Sequence, residues 1–298
     1  MRRSEFLDVL SRRPILLDGA MGTQLFSAGL EQGKAPEAWL IEQPEKIKRV
    51  HASYDEAGSD AVYTCSFGGT RIKLAASNVL TGATEINRKA VEIARAALWR
   101  ARWVFGSMGP TGALLEPYGD LAAAAAKEAF VEQAAALAAA GADALVVESF
   151  IDLNEAVLAV SAARKAGDIF VLSTMTFEGE DKKFRTVMGT TPQAAAEALL
   201  SAGADAIGVN CGRGIEDAAA VVKMMREAAG SAPLIAKPNA GVPLTSGGRV
   251  VYPVGPAEFA DKSLMLLDLG VVLLGGCCGT GPEHIRSLRN LPRLAGNG

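Results

Sequence analysis

Histidine is nearly missing from this chain: His51 and His284 are the only two in 298 residues. Chemistry built on a histidine base, or a metal site of several imidazoles, is therefore poorly supplied. Charge excess is missing too. A net charge of −3 gives no electrostatic reason to expect nucleic acid or an anionic membrane as a partner. No apolar run reaches the roughly 18 to 20 residues that span a bilayer. The start, Met1 to Asp8, is too polar for a secretory signal. No Gly-x-Gly-x-x-Gly follows the first candidate strand, which argues against a dinucleotide-binding open sheet. Cysteines number four and cluster at strand ends, a pattern that fits a reducing cytoplasm better than a disulfide scaffold.

Three of those cysteines form the sharpest chemical feature. The apolar run Val271-Val272-Leu273-Leu274 stops at Gly275 and Gly276 and delivers Cys277 and Cys278 to its tip. In a regular strand neighbouring side chains point to opposite faces. For both sulfurs to reach one point the backbone must leave strand geometry, and Gly275, Gly276 and Gly279 permit that. Ala206-Ile207-Gly208-Val209-Asn210-Cys211-Gly212 is a second apolar run ending in cysteine then glycine. Cys211, Cys277 and Cys278 together read as a zinc site. Three protein ligands leave one tetrahedral position open, the layout of a catalytic rather than a structural zinc. Two plainer readings stand beside this one. Cysteine often packs as a small hydrophobe, and the adjacent pair could act as a redox dithiol. A disulfide between adjacent cysteines forms only with strain.

The rest of the chain alternates short apolar runs with longer helical segments. Candidate strands cover residues 14–19, 60–65, 103–109, 144–149, 169–175, 206–211, 234–239 and 271–278. Candidate helices cover 45–57, 84–101, 121–140, 152–166, 192–202, 215–229, 256–269 and 282–290. A weak repeat, Gly58-Ser59-Asp60-Ala61, Gly141-Ala142-Asp143-Ala144 and Gly203-Ala204-Asp205-Ala206, ends a helix and enters a strand each time. Eight βα units in 298 residues predict an α/β fold, a single-domain (β/α)8 TIM barrel. Residues 1–13 read as a helical extension closing the barrel's bottom, and 14–298 as the barrel. The charged loop from Phe177 to Lys183 reads as exposed.

A TIM barrel places its active site at the C-terminal ends of the strands, and those ends carry nearly all the unusual polar residues. They include Asp18, Thr64, Cys65, Ser66, Glu148, Ser149, Asn210, Cys211, Asn239, Cys277 and Cys278. Asp18 and Glu148 suit an ammonium group. Free backbone N–H groups of Gly19-Ala20-Met21-Gly22, leading toward a helical turn, suit a carboxylate. An ammonium site, a carboxylate site and a zinc awaiting sulfur describe a thiol amino acid such as homocysteine. Zinc would hold that thiol as a thiolate able to attack a methyl group, and no protein base is then required.

At this point a resemblance is carried by particular residues. Leu16-Leu17-Asp18-Gly19-Ala20-Met21-Gly22-Thr23, Val209-Asn210-Cys211-Gly212 and Gly275-Gly276-Cys277-Cys278-Gly279-Thr280 are similar to the zinc- and homocysteine-binding module of the homocysteine S-methyltransferase family. Gly106-Ser107-Met108-Gly109-Pro110-Thr111-Gly112 and Lys237-Pro238-Asn239-Ala240-Gly241 resemble the module of its cobalamin-dependent members most. The resemblance implies zinc on Cys211, Cys277 and Cys278, with Asn239 in the fourth position when substrate is absent. It implies homocysteine on Asp18, Gly19, Ala20, Met21, Glu148, Ser149 and Asn210, and methionine as product. The donor is expected to be methylcobalamin or a methylcorrinoid carried by a partner protein. S-methylmethionine and betaine are the alternatives, as is a non-catalytic barrel that binds zinc or a corrinoid partner. A betaine site wants aromatic groups around a cation, and only Phe67, Tyr118, Phe150 and Phe177 are candidates near the rim. Cys65 stands where cobalamin-dependent relatives usually have asparagine, so the rim beside the donor departs from theirs. His284 and His51 read as structural, and Met21, Met108 and Met175 as core packing.

Overall fold

Eight parallel strands make the wall of a barrel in this computed structural model, which describes residues 2–99, 103–179, 183–246 and 249–295. They are β1 (Ile15–Leu16), β2 (Ala61–Tyr63), β3 (Trp103–Met108), β4 (Ala144–Phe150), β5 (Phe170–Met175), β6 (Ala206–Cys211), β7 (Leu234–Pro238) and β10 (Val271–Leu274). Pairing runs from β2 in sequence to β7, then to β10 and β1. A parallel bridge between Leu17 and Ala61 joins the first strand to the second and closes the ring. The strands are apolar on both faces because one face fills the barrel and the other meets the helices. Ile15, Leu17, Phe105, Val146, Leu172 and Leu273 fill the interior, while residues such as Leu16, Val104, Leu145 and Val171 face outward into the larger core.

The expected helices form as α4 (Pro44–Glu56), α6 (Ala83–Ala97), α7 (Ala123–Ala139), α8 (Leu153–Arg164), α9 (Pro192–Ser201), α10 (Ile215–Ala229), α11 (Pro256–Asp268) and α12 (Pro282–Arg289). Before the barrel, α1 (Arg3–Arg12) drives Phe6 into the bottom, where its ring lies 4.7 Å from that of Phe170 and 5.4 Å from that of Phe105. Short elements escaped the sequence reading: α2 (Gly22–Ser27), α3 (Trp39–Glu42), α5 (Arg71–Ala76), and a hairpin of β8 (Leu244–Ser246) and β9 (Arg249–Val251). Each is too brief to show a hydrophobic period. The loop after β5 is also less exposed than its charge predicts. Glu178 and Arg185 exchange backbone hydrogen bonds of 2.8 and 2.9 Å, and Phe177 and Phe184 are buried beside them. Residues 180–182 lie outside the described residues.

The Gly-x-Asp-Ala repeat has a structural purpose. The carboxylates of Asp60, Asp143 and Asp205 accept from the backbone N–H of Leu16, Val104 and Val171, at 2.9, 2.8 and 2.9 Å. Each aspartate thus ties the entrance of its own strand to the strand before it. Arginines balance the charge: Arg13 and Arg289 on Asp60, Arg95 on Asp143, Arg3 and Arg164 on Asp205. These pairs stand at the N-terminal ends of the strands, opposite the polar residues of the mouth.

His51 on α4 is fully buried, and neither ring nitrogen has a hydrogen-bond partner. Burial favours the uncharged ring and pulls its pKa down to about 4. The unfolded ring takes a proton near pH 6.5, so the unfolded state gains protons first as pH falls. This one residue is expected to remove about 3 kcal/mol of stability between pH 7 and pH 4. Urea midpoints of the parent and a His51→Phe variant across that range check it. Equal acid losses in both proteins would refute the assignment.

Candidate metal and substrate site

Cys211 is the last residue of β6 and adopts φ 59°, a left-handed conformation that costs a non-glycine residue about 1 kcal/mol or more. The turn brings its sulfur back over the barrel mouth. The opposing cysteines come from the other side of β7. β10 ends at Leu274, and the segment after it is laced to its neighbours. Gly276 N–H donates to Asp18 O at 3.1 Å, Cys277 N–H to Pro238 O at 2.8 Å, and Ala240 N–H to Cys278 O at 3.0 Å. A Cβ on Gly275 would lie 2.7 Å from the carbonyl oxygen of Asp18, and Gly279 has φ +82° with the Tyr252 ring packed against its Cα. Glycine is required at both positions, one for close approach and one for the turn that points Cys277 and Cys278 the same way.

The result is three thiols whose sulfurs lie within 4.8 Å of one another, with Cys211 Sγ and Cys277 Sγ 2.9 Å apart. Sulfurs on one tetrahedral zinc stand about 3.8 Å apart, given a Zn–S length of about 2.3 Å, so Cys211 and Cys277, at 2.9 Å, would move apart by just under 1 Å to share an ion. Hydrogen bonding from Cys211 and Cys277 stabilises a thiolate on Cys278, drawing its pKa down to about 3, while Cys211, the donor, is pushed well up. Asn239 follows Pro238 at the end of β7. Its Nδ2 donates to Gly212 O at 2.7 Å, and its buried Oδ1 has no partner. The chemistry of the set fits a thiophilic cation with one oxygen donor at hand. Among the described residues Cys65 is outside this cluster. It is buried, and burial raises its thiol pKa.

Beneath the sulfurs lies a polar floor. Lys237 on β7 is almost fully buried and donates to Asp18 Oδ1 at 2.6 Å. Asp18 Oδ2 accepts from Tyr63 N–H at 2.8 Å. Lys237 Nζ also sits 3.6 Å over the centre of the Tyr63 ring. The Tyr63 hydroxyl is buried and unpartnered. Across the barrel, Ser107 Oγ donates to Glu148 Oε1 at 2.5 Å. Burial pushes the Glu148 carboxyl up to about 7, opposed by Lys237 and Ser107. The ladder between β4 and β5 slips beyond Val147, where Ser149 takes φ 64°, and this bulge turns the strand end into the mouth. Asn210 then ties the pieces together: its Oδ1 accepts from Ser149 N–H at 2.9 Å and Thr174 Oγ1 at 2.8 Å, and its Nδ2 donates to Ser149 Oγ at 2.5 Å. Nδ2 also points at Cys277 Sγ, 3.9 Å away.

The Gly19–Gly22 loop differs from the simple row of free amides read from sequence. Ala20 N–H already donates to Thr280 Oγ1 at 3.2 Å, and Tyr54 OH donates to Ala20 O at 2.7 Å. Met21 is half-buried where α2 begins. Of the rim aromatics, Phe150 and Phe177 are buried in the core, leaving Phe67 and Tyr118 exposed. Met108 and Met175 are core residues, and His284 caps α12 through Gly281 N–H and reaches Val254 O. Sequence reasoning missed Tyr63 and Tyr252 as parts of the site, and quoted Ser107 and Lys237 without giving them roles. The signal for Lys237 was present: a lysine inside the apolar run of a buried strand needs a charged partner.

Comparison with known proteins agrees with this architecture. The profile of the family described as homocysteine S-methyltransferase matches residues 15–291. A methionine synthase of Mycobacterium tuberculosis is 33% identical over 305 residues, covering 96% of this chain and 25% of that protein. Its counterpart in Mycobacterium leprae is 31% identical over 307 residues with the same coverage, 96% and 25%. The chain thus spans a quarter of the length of these relatives. Among solved structures, the metallated form of the homocysteine methyltransferase MmuM from Escherichia coli superposes with a TM-score of 0.77 at 26% identity, over 95% of this chain and 98% of that one. The apo form of the same enzyme gives 0.69.

Proposed function

Because this chain belongs to the homocysteine S-methyltransferase family, we propose that it transfers a methyl group to the thiol of homocysteine, yielding methionine, at a zinc site. The observation that carries the reading is the convergence of Cys211, Cys277 and Cys278 within 4.8 Å at the barrel mouth. These three cysteines would hold the ion. When bound, zinc would lower the pKa of a coordinated substrate thiol from about 8.5 and present it as a thiolate. Asn239 would offer its free Oδ1 when no thiol is present. Glu148 would receive the substrate ammonium, Asp18 would shape the pocket beside it, and Asn210 would fix Ser149 at the bulge. Gly19, Ala20 and Met21 would line the side that meets the substrate carboxylate.

The favoured donor is a methylcorrinoid carried by a protein. Loops that follow β2, β3 and β7 place Phe67, Leu114, Tyr118 and Val242 in solvent, with Leu244 on β8 and Val250 and Val251 on β9. Apolar side chains ringing a barrel mouth suit a macromolecular donor better than a small one. A second reading, a small donor such as S-methylmethionine, is supported by the likeness in fold to the homocysteine methyltransferase MmuM, at a TM-score of 0.77. Betaine is disfavoured because Phe150 and Phe177 are not available to surround a quaternary cation. The free thiols fit a reducing, cytoplasmic setting. Among the described residues no helix is long and apolar enough to cross a membrane.

The test is methionine formation by zinc-loaded protein from homocysteine, offered methylcobalamin, S-methylmethionine or betaine in parallel. Product from methylcobalamin alone is expected. Product from a small donor alone would replace the corrinoid reading. Stoichiometric zinc with no product from any donor would favour a non-catalytic barrel.

A further inference from the structure

The pocket floor holds three charged groups of unequal standing. Asp18 has a donor on each oxygen, Lys237 Nζ at 2.6 Å and Tyr63 N–H at 2.8 Å. A carboxyl that accepts on both oxygens and donates nothing is ionised. Lys237 is 4% exposed, and its ammonium lies between that carboxylate and the Tyr63 ring. These two charges cancel within the barrel. Glu148 is different. Its hydrogen-bond donor is neutral, Ser107 Oγ, and among the described residues the Lys237 ammonium makes its ion pair with Asp18 and reaches Glu148 only through its longer-range field. The Asp18–Lys237–Glu148 floor therefore carries one uncompensated carboxyl when all three groups are ionised.

Resting on the reading that the substrate is an amino thiol, we propose that Lys237 is a positioning residue which neutralises Asp18 and leaves Glu148 alone to match the floor to one ammonium group. The chemistry follows from desolvation. A buried carboxylate without a counter-charge is costly, and an ammonium that pairs with it relieves that cost. One free carboxylate takes one cation. If Asp18 were also free, the floor would carry two like charges and would hold a proton in place of substrate. Lys237 thereby sets the selectivity for thiols that bear a single amino group over the same thiols without it. It does so without touching the substrate.

The charges make an unusual prediction about mutants. Asp18→Asn alone leaves Lys237 buried and unpaired. The lysine then balances Glu148, and the floor becomes neutral. Adding Lys237→Met to Asp18→Asn restores the single free carboxylate. A second mutation should therefore rescue the first. The experiment is calorimetry on zinc-loaded parent, Asp18→Asn, Asp18→Asn/Lys237→Met and Glu148→Gln proteins. Each is titrated with homocysteine and with γ-mercaptobutyrate, which lacks the amino group. The parent is expected to prefer homocysteine by roughly a hundredfold, given the worth of a desolvated charge pair. Glu148→Gln and Asp18→Asn should lose most of that preference. The double variant should return to within about threefold of the parent, since removing both members of a buried pair is often near neutral. A double variant without the parent's preference would overturn the proposal and make Asp18 a direct ligand of the ammonium. Should Asp18→Asn fail to fold, the double variant and the parent still decide the matter. A parent that binds neither thiol would instead refute the homocysteine reading and this proposal with it, an outcome distinct from a parent that discriminates and a double variant that does not.

Discussion

Cys277→Ser protein is expected to emerge from zinc loading with less than a tenth of an equivalent of metal, and its methionine formation to fall by at least about a hundredfold. Losing an outer partner of a metal ligand already costs about 10- to 100-fold in affinity or activity, and a ligand itself should cost no less. Serine cannot replace the sulfur, because zinc binding here depends on thiolates and a hydroxyl stays protonated near neutral pH. The fold should survive. The backbone bond from Cys277 N–H to Pro238 O, 2.8 Å, is independent of the side chain. Metal content by atomic emission and circular dichroism of the same preparation separate the two effects. Cys65→Ser is the matched control: Cys65 is buried away from the cluster, and that variant should keep its zinc. Retention of stoichiometric zinc and full activity in Cys277→Ser would defeat the metal-site reading. A metal-free parent whose thiol count changes between oxidised and reduced samples would revive the dithiol reading.

Lys237→Met is expected to lower folding stability by about 3–5 kcal/mol near neutral pH, the usual consequence of stranding one member of a buried ion pair. Asp18 would keep Tyr63 N–H on one oxygen and lose the ammonium on the other. Burial already raises the Asp18 pKa above the usual carboxylate value, and removing Lys237 raises it further. An acid with a raised folded pKa is favourable to folding below its unfolded pKa, and this advantage disappears as pH rises through the folded value. The deficit of the variant should therefore be small in acid and grow toward neutrality. Urea unfolding of parent, Lys237→Met and Asp18→Asn/Lys237→Met proteins across that range measures it. The double variant should recover most of the loss. A Lys237→Met protein as stable as the parent at neutral pH would mean that the pair does not carry the charge balance assigned to it.

Much of this was written in the sequence because it depends on local pattern. Eight apolar runs, each bounded by glycine or proline and followed by a helical stretch, have few arrangements other than a parallel barrel. The repeat of glycine and aspartate before three of those runs marks strand entrances, and the aspartates prove to be hydrogen-bonded there. Cys211 and the Cys277–Cys278 pair stood out for the same reason. Cysteine beside glycine at the end of an apolar run is a local signal, even though 66 residues separate Cys211 from Cys277.

The partners of each charge could not be read that way. Asp18 suited a substrate ammonium as long as only its own strand was considered. Its nearest cation, Lys237, stands 219 positions away and meets it only because a closed barrel makes β1 and β7 near neighbours across β10. The amides of the Gly19–Gly22 loop looked free until Thr280 was found on one of them, 260 positions on. The seating of Tyr252 against Gly279 likewise joins two segments that the chain keeps apart. The sequence by itself determined the barrel and the three cysteines, since strand period, helix period and glycine placement act over a few residues. The tertiary structure decided which carboxyl is neutralised and which is left uncompensated. Electrostatic pairing depends on distance in space, and ring closure brings together residues the chain keeps far apart.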